Sequence, residues 1–182
     1  MSIQNSYQLF HNELKFHNIY EKLSRPIIIS DNIKNPENMG SILRIAGNIG
    51  AAQSLFISDN STLFKKHKIN RTASGASEKT NWKIINKNEL AHNIPNDYTV
   101  VALETTSDSE NIYQFNFPEK TAIIIGNEVA GISDDVLKFA THKVYIPIPG
   151  PISSLNVTHA LAIAMFEWWR QHAIYTNYNS KL

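Results

Sequence analysis

Three short segments carry side chains whose types and spacing suit chemistry. The first reads Asn35-Pro36-Glu37-Asn38-Met39-Gly40-Ser41-Ile42-Leu43-Arg44. A helix that starts near Asn38 or Met39, with Asn38 as its N-cap, puts Arg44 on the second turn, beside the apolar stripe Ile42, Leu43, Ala46 and Ile49. A guanidinium in that position needs a partner, and phosphate or carboxylate accepts its planar fork best. An internal acid would satisfy Arg44 as well, and this segment alone does not choose. The second segment is Gly126-Asn127-Glu128-Val129-Ala130-Gly131-Ile132-Ser133, directly after Ile123-Ile124-Ile125. Its two glycines permit close approach of a ligand to the backbone. An ordinary strand-to-helix turn capped by Ser133 explains them equally. The third runs from Ile146-Pro147 through Pro149 and Pro151 to Ser153-Ser154-Leu155-Asn156-Val157. The prolines stop a strand. The free N–H groups of the helix that follows suit an anion or a polar ligand edge, or simply a serine cap.

These segments need a scaffold. Six apolar, β-rich runs recur: Pro26–Ser30, Ser54–Ser58, Trp82–Ile85, Tyr98–Leu103, Thr121–Ile125 and Lys143–Ile148. Several are continuous rather than alternating, the pattern of strands covered on both faces. Helical patterns lie over Tyr7–Leu23, Met39–Ile49, Ser133–Phe139 and Ser154 to about His172. Strands alternating with helices predict an α/β fold with a mainly parallel sheet flanked by helices. Ligands of such sheets sit beyond the carboxyl ends of the strands, where the three segments fall. The organisation expected is an N-terminal helical extension over 1–25, one domain over 26–172 and a tail over 173–182.

Composition narrows the classes. At 42% hydrophobic residues the chain builds a core, and with no cysteine it holds no disulfide, thiolate–metal site or cysteine nucleophile. The seven histidines form no metal-ligand spacing, so no metal is expected. The apolar runs 122–125 and 160–166 fall far short of the ~20 residues of a membrane span. No signal peptide is visible, and a cytoplasmic protein without membrane association is expected. The formal net charge of +1 conceals an asymmetry. Lys65, Lys66, Lys68, Arg71, Lys79, Lys83 and Lys87 face only Glu78 over residues 65–87, whereas 88–119 hold six acids and no Lys or Arg. Such a basic block suits RNA or another polyanion, or a solvated loop.

Taken together, the segments closely resemble the SpoU/TrmH branch of the SPOUT methyltransferases. The Asn-x-Gly-x-x-x-Arg motif is matched by Asn38, Gly40 and Arg44. Gly-Asn-Glu-x-x-Gly-(Ile/Leu)-Ser is matched by Gly126–Ser133, and Ile-Pro…Ser-Leu-Asn-Val by Ile146, Pro147 and Ser154–Val157. Arg71, Ser74, Gly75 and Ala76 match a further Arg-x-x-Ser-Gly-Ala segment. The resemblance implies a C-terminal deep trefoil knot and a homodimer. It also implies transfer of a methyl group from S-adenosylmethionine to a ribose 2′-hydroxyl of tRNA or rRNA. It makes Arg44 the central catalytic residue, with Asn38 and Glu128 expected to orient Arg44 and the ribose and Ser154 and Asn156 to complete the pocket. It gives the adenosine of the cofactor to Leu103, Gly126, Ile146 and Leu155; Glu104, after the fourth strand, is expected at the cofactor's ribose, with solvent as the alternative. Lys65, Lys66, Lys68 and Arg71 are expected to hold RNA phosphates.

In this family the arginine has been assigned the role of base. Arginine side chains stay protonated in proteins, and forming a neutral guanidine at pH 7 would cost about 7 kcal/mol. A grip on the substrate phosphate, which then helps to accept the hydroxyl proton, suits Arg44 better. Two rival readings are a knotted RNA-binding dimer that has lost catalysis and a generic nucleotide-binding α/β protein. The intact Asn38, Arg44, Glu128 and Asn156 oppose the first, and the lack of Walker and GxGxxG loops opposes the second.

Overall fold

The computed structural model describes residues 5–14, 20, 23–58 and 66–178. Its strands are β1 (Ile27–Asp31), β2 (Gln53–Ile57), β3 (Trp82–Ile85), β4 (Thr99–Leu103), β5 (Glu110–Asn111), β6 (Thr121–Ile125) and β7 (His142–Tyr145). All pair in parallel, in the order β3-β2-β1-β6-β4-β7-β5. The helices are α1 (Ser6–Leu14), α2 (Pro36–Ile49), α3 (Lys66–Ala73), α4 (Ala76–Lys79), α5 (Leu90–Asn93), α6 (Asp134–Leu137) and α7 (Val157–Tyr178).

The central pair shows why the apolar runs are continuous. Every residue of β1 and of β6 is buried, with Ile28 opposite Ile123 and Ile29 opposite Ile124. Successive side chains point to opposite faces. Ile28, Phe56, Val101, Ile123 and Val144 therefore meet α2 and α7, through Ile42, Leu43, Leu161, Met165 and Trp168. Ile29, Leu55, Ala102 and Ile124 meet Leu90 of α5 and Val136 of α6 on the other face. Each fully buried isoleucine contributes about 1.5–3 kcal/mol.

The helix that carries the first motif starts earlier than expected. Asn35 is its N-cap: Oδ1 of Asn35 accepts from the Glu37 N–H at 2.8 Å, and Pro36 fills the first helical position. Asn38 therefore lies inside α2 rather than capping it, and its amide is free to reach elsewhere. The long helix starts later than expected. Asn156, not Ser154, caps α7, with its Oδ1 accepting from Thr158 N at 2.8 Å and from Thr158 Oγ1 at 2.7 Å. Residues 153–155 stay outside the helix, and α7 runs beyond His172 to Tyr178. Strand β7 ends at Tyr145, short of the expected Ile148, because the proline at 147 cannot donate to the ladder and constrains Ile146 before it. Helix α1 ends at Leu14; of the rest of the helix expected to Leu23, residues 15–19 and 21–22 lie outside the described residues.

Two contacts set the surroundings of the site. Gly40 of α2 abuts α3 so closely that a Cβ there would lie 2.4 Å from the Ile69 carbonyl oxygen. On the far side, residues 115–119 are tied to α7. Gln171 accepts from Phe117 N and donates to the Phe115 carbonyl, both at 2.9 Å, and Trp168 Nε1 donates to the Pro118 and Glu119 carbonyls at 3.2 and 3.1 Å. Glu167, itself buried, accepts from Arg170 and Gln171.

Candidate active site

A cleft of about 490 Å³ opens beyond the carboxyl ends of β4, β6 and β7. That volume falls in the ~300–1,000 Å³ range of small-molecule sites. Its walls come from all three strand ends and from the start of α7. Leu103 ends β4 and Glu104 follows it, Gly126 to Glu128 follow β6, Tyr145 ends β7 and Ile146 follows it, and Ser153 to Val157 lead into α7.

The loop after β6 holds its shape through its own backbone. Asn127 N donates to the Gly131 carbonyl at 2.9 Å, and Gly131 N returns a bond to Asn127 O at 3.0 Å. Gly131 takes φ +70°, and a Cβ there would meet Glu104 Oε2 at 2.6 Å. The positive φ is what calls for glycine here, and a Cβ would in addition displace the Glu104 carboxylate. Gly126 is required for a different reason. Its Cβ would lie 2.2 Å from the Gly131 carbonyl carbon. A side chain at Gly126 would wedge the loop apart instead of simply filling the cleft.

Polar side chains fasten this loop to its neighbours. Glu104 accepts from Ile132 N at 2.9 Å and from Thr105 N at 3.0 Å. Asp31, at the end of β1 and 4% exposed, accepts from Ser133 N at 2.7 Å. Asn127 Nδ2 donates to the Asn32 carbonyl at 2.7 Å. Ser133 precedes α6 in the expected cap position, but its side chain makes no capping bond; the tie runs through its backbone instead. Asp108 stands apart from the cleft lining. Hydrogen bonds from Lys143 and Thr106 hold its carboxyl below the usual carboxylate range.

One bond joins the first motif to the cleft. Asn38 Nδ2 donates to Glu128 Oε1 at 2.6 Å, across 90 residues of sequence. Of the residues expected to act in catalysis, Glu128, Ser154 and Asn156 line the cleft, and Asn38 reaches it through Glu128. Arg44 does not line it. It is exposed on α2, about 120° around the helix from Asn38. It makes no hydrogen bond or ion pair among the described residues, so no described acid is its partner.

All five residues expected at the cofactor, Leu103, Glu104, Gly126, Ile146 and Leu155, line the cleft. Tyr145, Val157 and Ala160 join them without having been expected there. Of the basic set, Lys66, Lys68 and Arg71 lie exposed on α3, Arg71 is paired with Glu37, and Lys65 lies outside the described residues. The Arg71–Glu37 pair had no signal in the sequence, because the two residues lie on different helices.

The lining discriminates between ligand chemistries. Leu103, Ile146, Leu155 and Val157 offer apolar surface to a flat ring, and strand-end backbone offers hydrogen bonds to its edge. Two carboxylates line the cleft, and no Lys or Arg does so among the described residues. A polyphosphate would meet no cation there. A ligand bearing positive charge and a heteroaromatic ring fits the donor set, and S-adenosylmethionine is such a molecule.

Known proteins place this geometry. The SpoU rRNA methylase family matches residues 25–166. The chain is 30% identical over 159 residues to the tRNA (guanosine(18)-2′-O)-methyltransferase of Aquifex aeolicus, covering 84% of this chain and 73% of that protein. It is 26% identical to the 23S rRNA (guanosine-2′-O-)-methyltransferase of Xylella fastidiosa, covering 81% of this chain and 59% of that protein. Among solved structures, the TrmH/SpoU tRNA-modifying enzyme of A. aeolicus superposes with a TM-score of 0.76 at 23% identity, over 94% of this chain and 87% of that one. The SpoU methyltransferase AviRb of Streptomyces viridochromogenes, solved with AdoMet, superposes with a TM-score of 0.74 at 23% identity, over 84% and 59%. The two superpositions establish the fold, and with the family match over the motifs and the cleft they show that the chain belongs to the SpoU rRNA methylase family.

Proposed function

We propose that this protein is an S-adenosylmethionine-dependent methyltransferase acting on the ribose 2′-hydroxyl of a tRNA or rRNA nucleotide. The observation that carries the reading is the Asn38–Glu128 hydrogen bond, which brings the first motif to a carboxylate-bearing cleft at the strand ends. The cofactor supplies an already activated methyl group. The chain must then align the acceptor oxygen and provide a route for its proton. Leu103, Gly126, Ile146 and Leu155 hold the adenosine, with Glu104 shaping the loop beside it. Asn38 and Glu128 orient the ribose, and Ser154 and Asn156 close the pocket around it. Arg44 binds the substrate phosphate next to the acceptor hydroxyl. Lys66, Lys68 and Arg71, with Lys65, hold phosphates further along the RNA. No observation favours a catalytically inactive RNA-binding dimer.

The working form in this reading is a homodimer in the cytoplasm, with α7 and the segment before it threaded as a trefoil knot. Two features support the dimer. Phe166 of α7 is 49% exposed although Phe10 of α1 packs edge-on to Trp169 nearby, at 5.5 Å between ring centroids. Arg44 stands exposed and outside the cleft lining, so a second copy can bring it to the substrate. No helix among the described residues is long and apolar enough to cross a membrane.

The direct test is methylation of total tRNA and of rRNA from a strain lacking the gene, with labelled S-adenosylmethionine and mapping of the modified nucleotide. A label on a base, or on neither RNA class, would refute the reading. Sedimentation at micromolar concentration tests assembly: an active species at 20.6 kDa rather than about twice that mass would refute the shared site.

A further inference from the structure

The basic helix α3 is not uniformly available to RNA. Lys66, Lys68 and Arg71 are all exposed, but Arg71 donates to the carboxylate of Glu37 on α2. Glu37 directly precedes Asn38, whose amide reaches the cleft. It shares a helix face with Ser41 and Arg44, which follow it at four and seven residues. Arg71 is thus anchored next to the active centre by an acid on the helix that also bears Arg44. The close approach of Gly40 to Ile69 and Thr72 fixes α3 at that distance. The ion pair is open to solvent, with side-chain exposures of 68% for Arg71 and 47% for Glu37. A pair so exposed is weak, and a phosphate, with its matching oxygen geometry, can take the guanidinium from it.

The reaction gives this arrangement a purpose. Methylated RNA carries every phosphate that the substrate carried. Bonds to phosphate therefore hold product as firmly as substrate, and each one added slows release. We propose that Glu37 is a built-in competitor for the RNA phosphate at Arg71. It positions the guanidinium in the free protein, yields it when RNA docks, and reclaims it as the product leaves. Glu37 is a positioning residue in this scheme and touches no reacting atom. The inference rests on the RNA methyltransferase reading above and adds a role for a residue outside its motifs.

The test compares wild type, Glu37→Gln, Arg71→Gln and the double variant as full-length proteins. Binding to unfractionated tRNA and to rRNA is measured by filter retention across a salt series, with single- and multiple-turnover methylation alongside. Glu37→Gln should bind the substrate RNA class about two- to five-fold more tightly, the range set by release of an exposed ion pair. Arg71→Gln should bind more weakly and lower the salt slope by about 0.7–0.9. The gain from Glu37→Gln should vanish in the Arg71→Gln background, because the effect acts through that guanidinium. In turnover, Glu37→Gln should lower both KM for RNA and kcat while leaving the single-turnover rate unchanged. Unchanged or weaker binding by Glu37→Gln overturns the proposal. So does an equal gain with and without Arg71, which would be general charge removal. If wild type neither binds nor methylates either RNA class, the methyltransferase reading fails and this inference falls with it. If wild type is active and Glu37→Gln behaves identically, only this inference fails.

Discussion

Replacing Gly40 by alanine would place a Cβ 1.9 Å from Thr72 Oγ1, 2.4 Å from the Ile69 carbonyl oxygen and 2.9 Å from Ala73 N. The first of these atoms ends a side chain that can turn away. The other two are backbone, so α3 itself must move away from α2. Overpacking of this kind costs about 1–3 kcal/mol, and clashes with backbone place this case in the upper half, ~2–3 kcal/mol. For a domain of this size each kcal/mol lowers Tm by roughly 2–4 °C, so Gly40→Ala should melt about 4–12 °C below wild type. The functional loss should be selective. Helix α3 carries Lys66, Lys68 and Arg71, whereas the cleft is lined from β4, β6, β7 and the start of α7. RNA binding by filter retention should weaken, and S-adenosylmethionine binding by calorimetry should change little. Thr72→Ala in the Gly40→Ala background should restore only part of the loss, since it relieves the side-chain clash and leaves those with backbone. A variant that melts within about 1 °C of wild type and binds RNA normally would refute the close packing of α2 on α3.

Arg44→Lys should lose most methyl transfer while keeping the fold, because an ammonium cannot form the bidentate fork that a phosphate accepts; near-normal turnover would remove the fork from the argument. Lys66→Gln with Lys68→Gln should weaken binding to all RNAs alike and reduce the salt slope by roughly 0.7–0.9 for each phosphate no longer neutralised. A slope equal to that of wild type would make both lysines bystanders. Hydrogen bonds from Arg170 keep the Glu167 carboxyl below its ordinary range despite burial. A depressed carboxyl stabilises the fold above its unfolded value, about 4.3, and loses that contribution as pH falls through the lower folded value. Wild type should therefore be more stable than Glu167→Gln at pH 7, and the gap should close below about pH 4. Melting curves that keep a constant separation from pH 7 to pH 3 would contradict this.

The sequence made the central strands legible because burial on both faces leaves an unbroken apolar run, as in Ile27-Ile28-Ile29 and Ile123-Ile124-Ile125. It made Gly126, Glu128, Ile146 and Ser154–Val157 of the cleft legible because their spacing matched a family pattern. What it hid was decided by tertiary packing. Helix α3 has only Ile69 and Ala73 buried and otherwise polar residues, so its place against Gly40 could not be read from periodicity. Strand β5 is two residues long and exists through its pairing with β7. Asn35-Pro36 reads as a loop in isolation, yet it is the cap and first turn of α2. The Asn38–Glu128 bond spans 90 residues, and local pattern cannot register such a pairing.

The strand order also dictates how the molecule is made. β1 pairs with β2 on one side, which leaves the ribosome soon after it, and with β6 on the other. Between Asp31 and Thr121 lie roughly 90 residues, and synthesis at about 5–20 residues per second takes ~5–18 s to supply them. For that interval a fully buried strand of the finished fold has one edge without its native neighbour, and an open, flat, hydrophobic edge is the template on which chains mis-pair. Helix α2 emerges early enough to cover one face of β1 during the wait, through Ile42, Leu43 and Ala46. The other face waits for Leu90 of α5 and then Val136 of α6, and the open edge stays bare until β6 arrives. Yield in cells should therefore depend on chaperone capacity and growth temperature more than the stability of the finished fold would suggest.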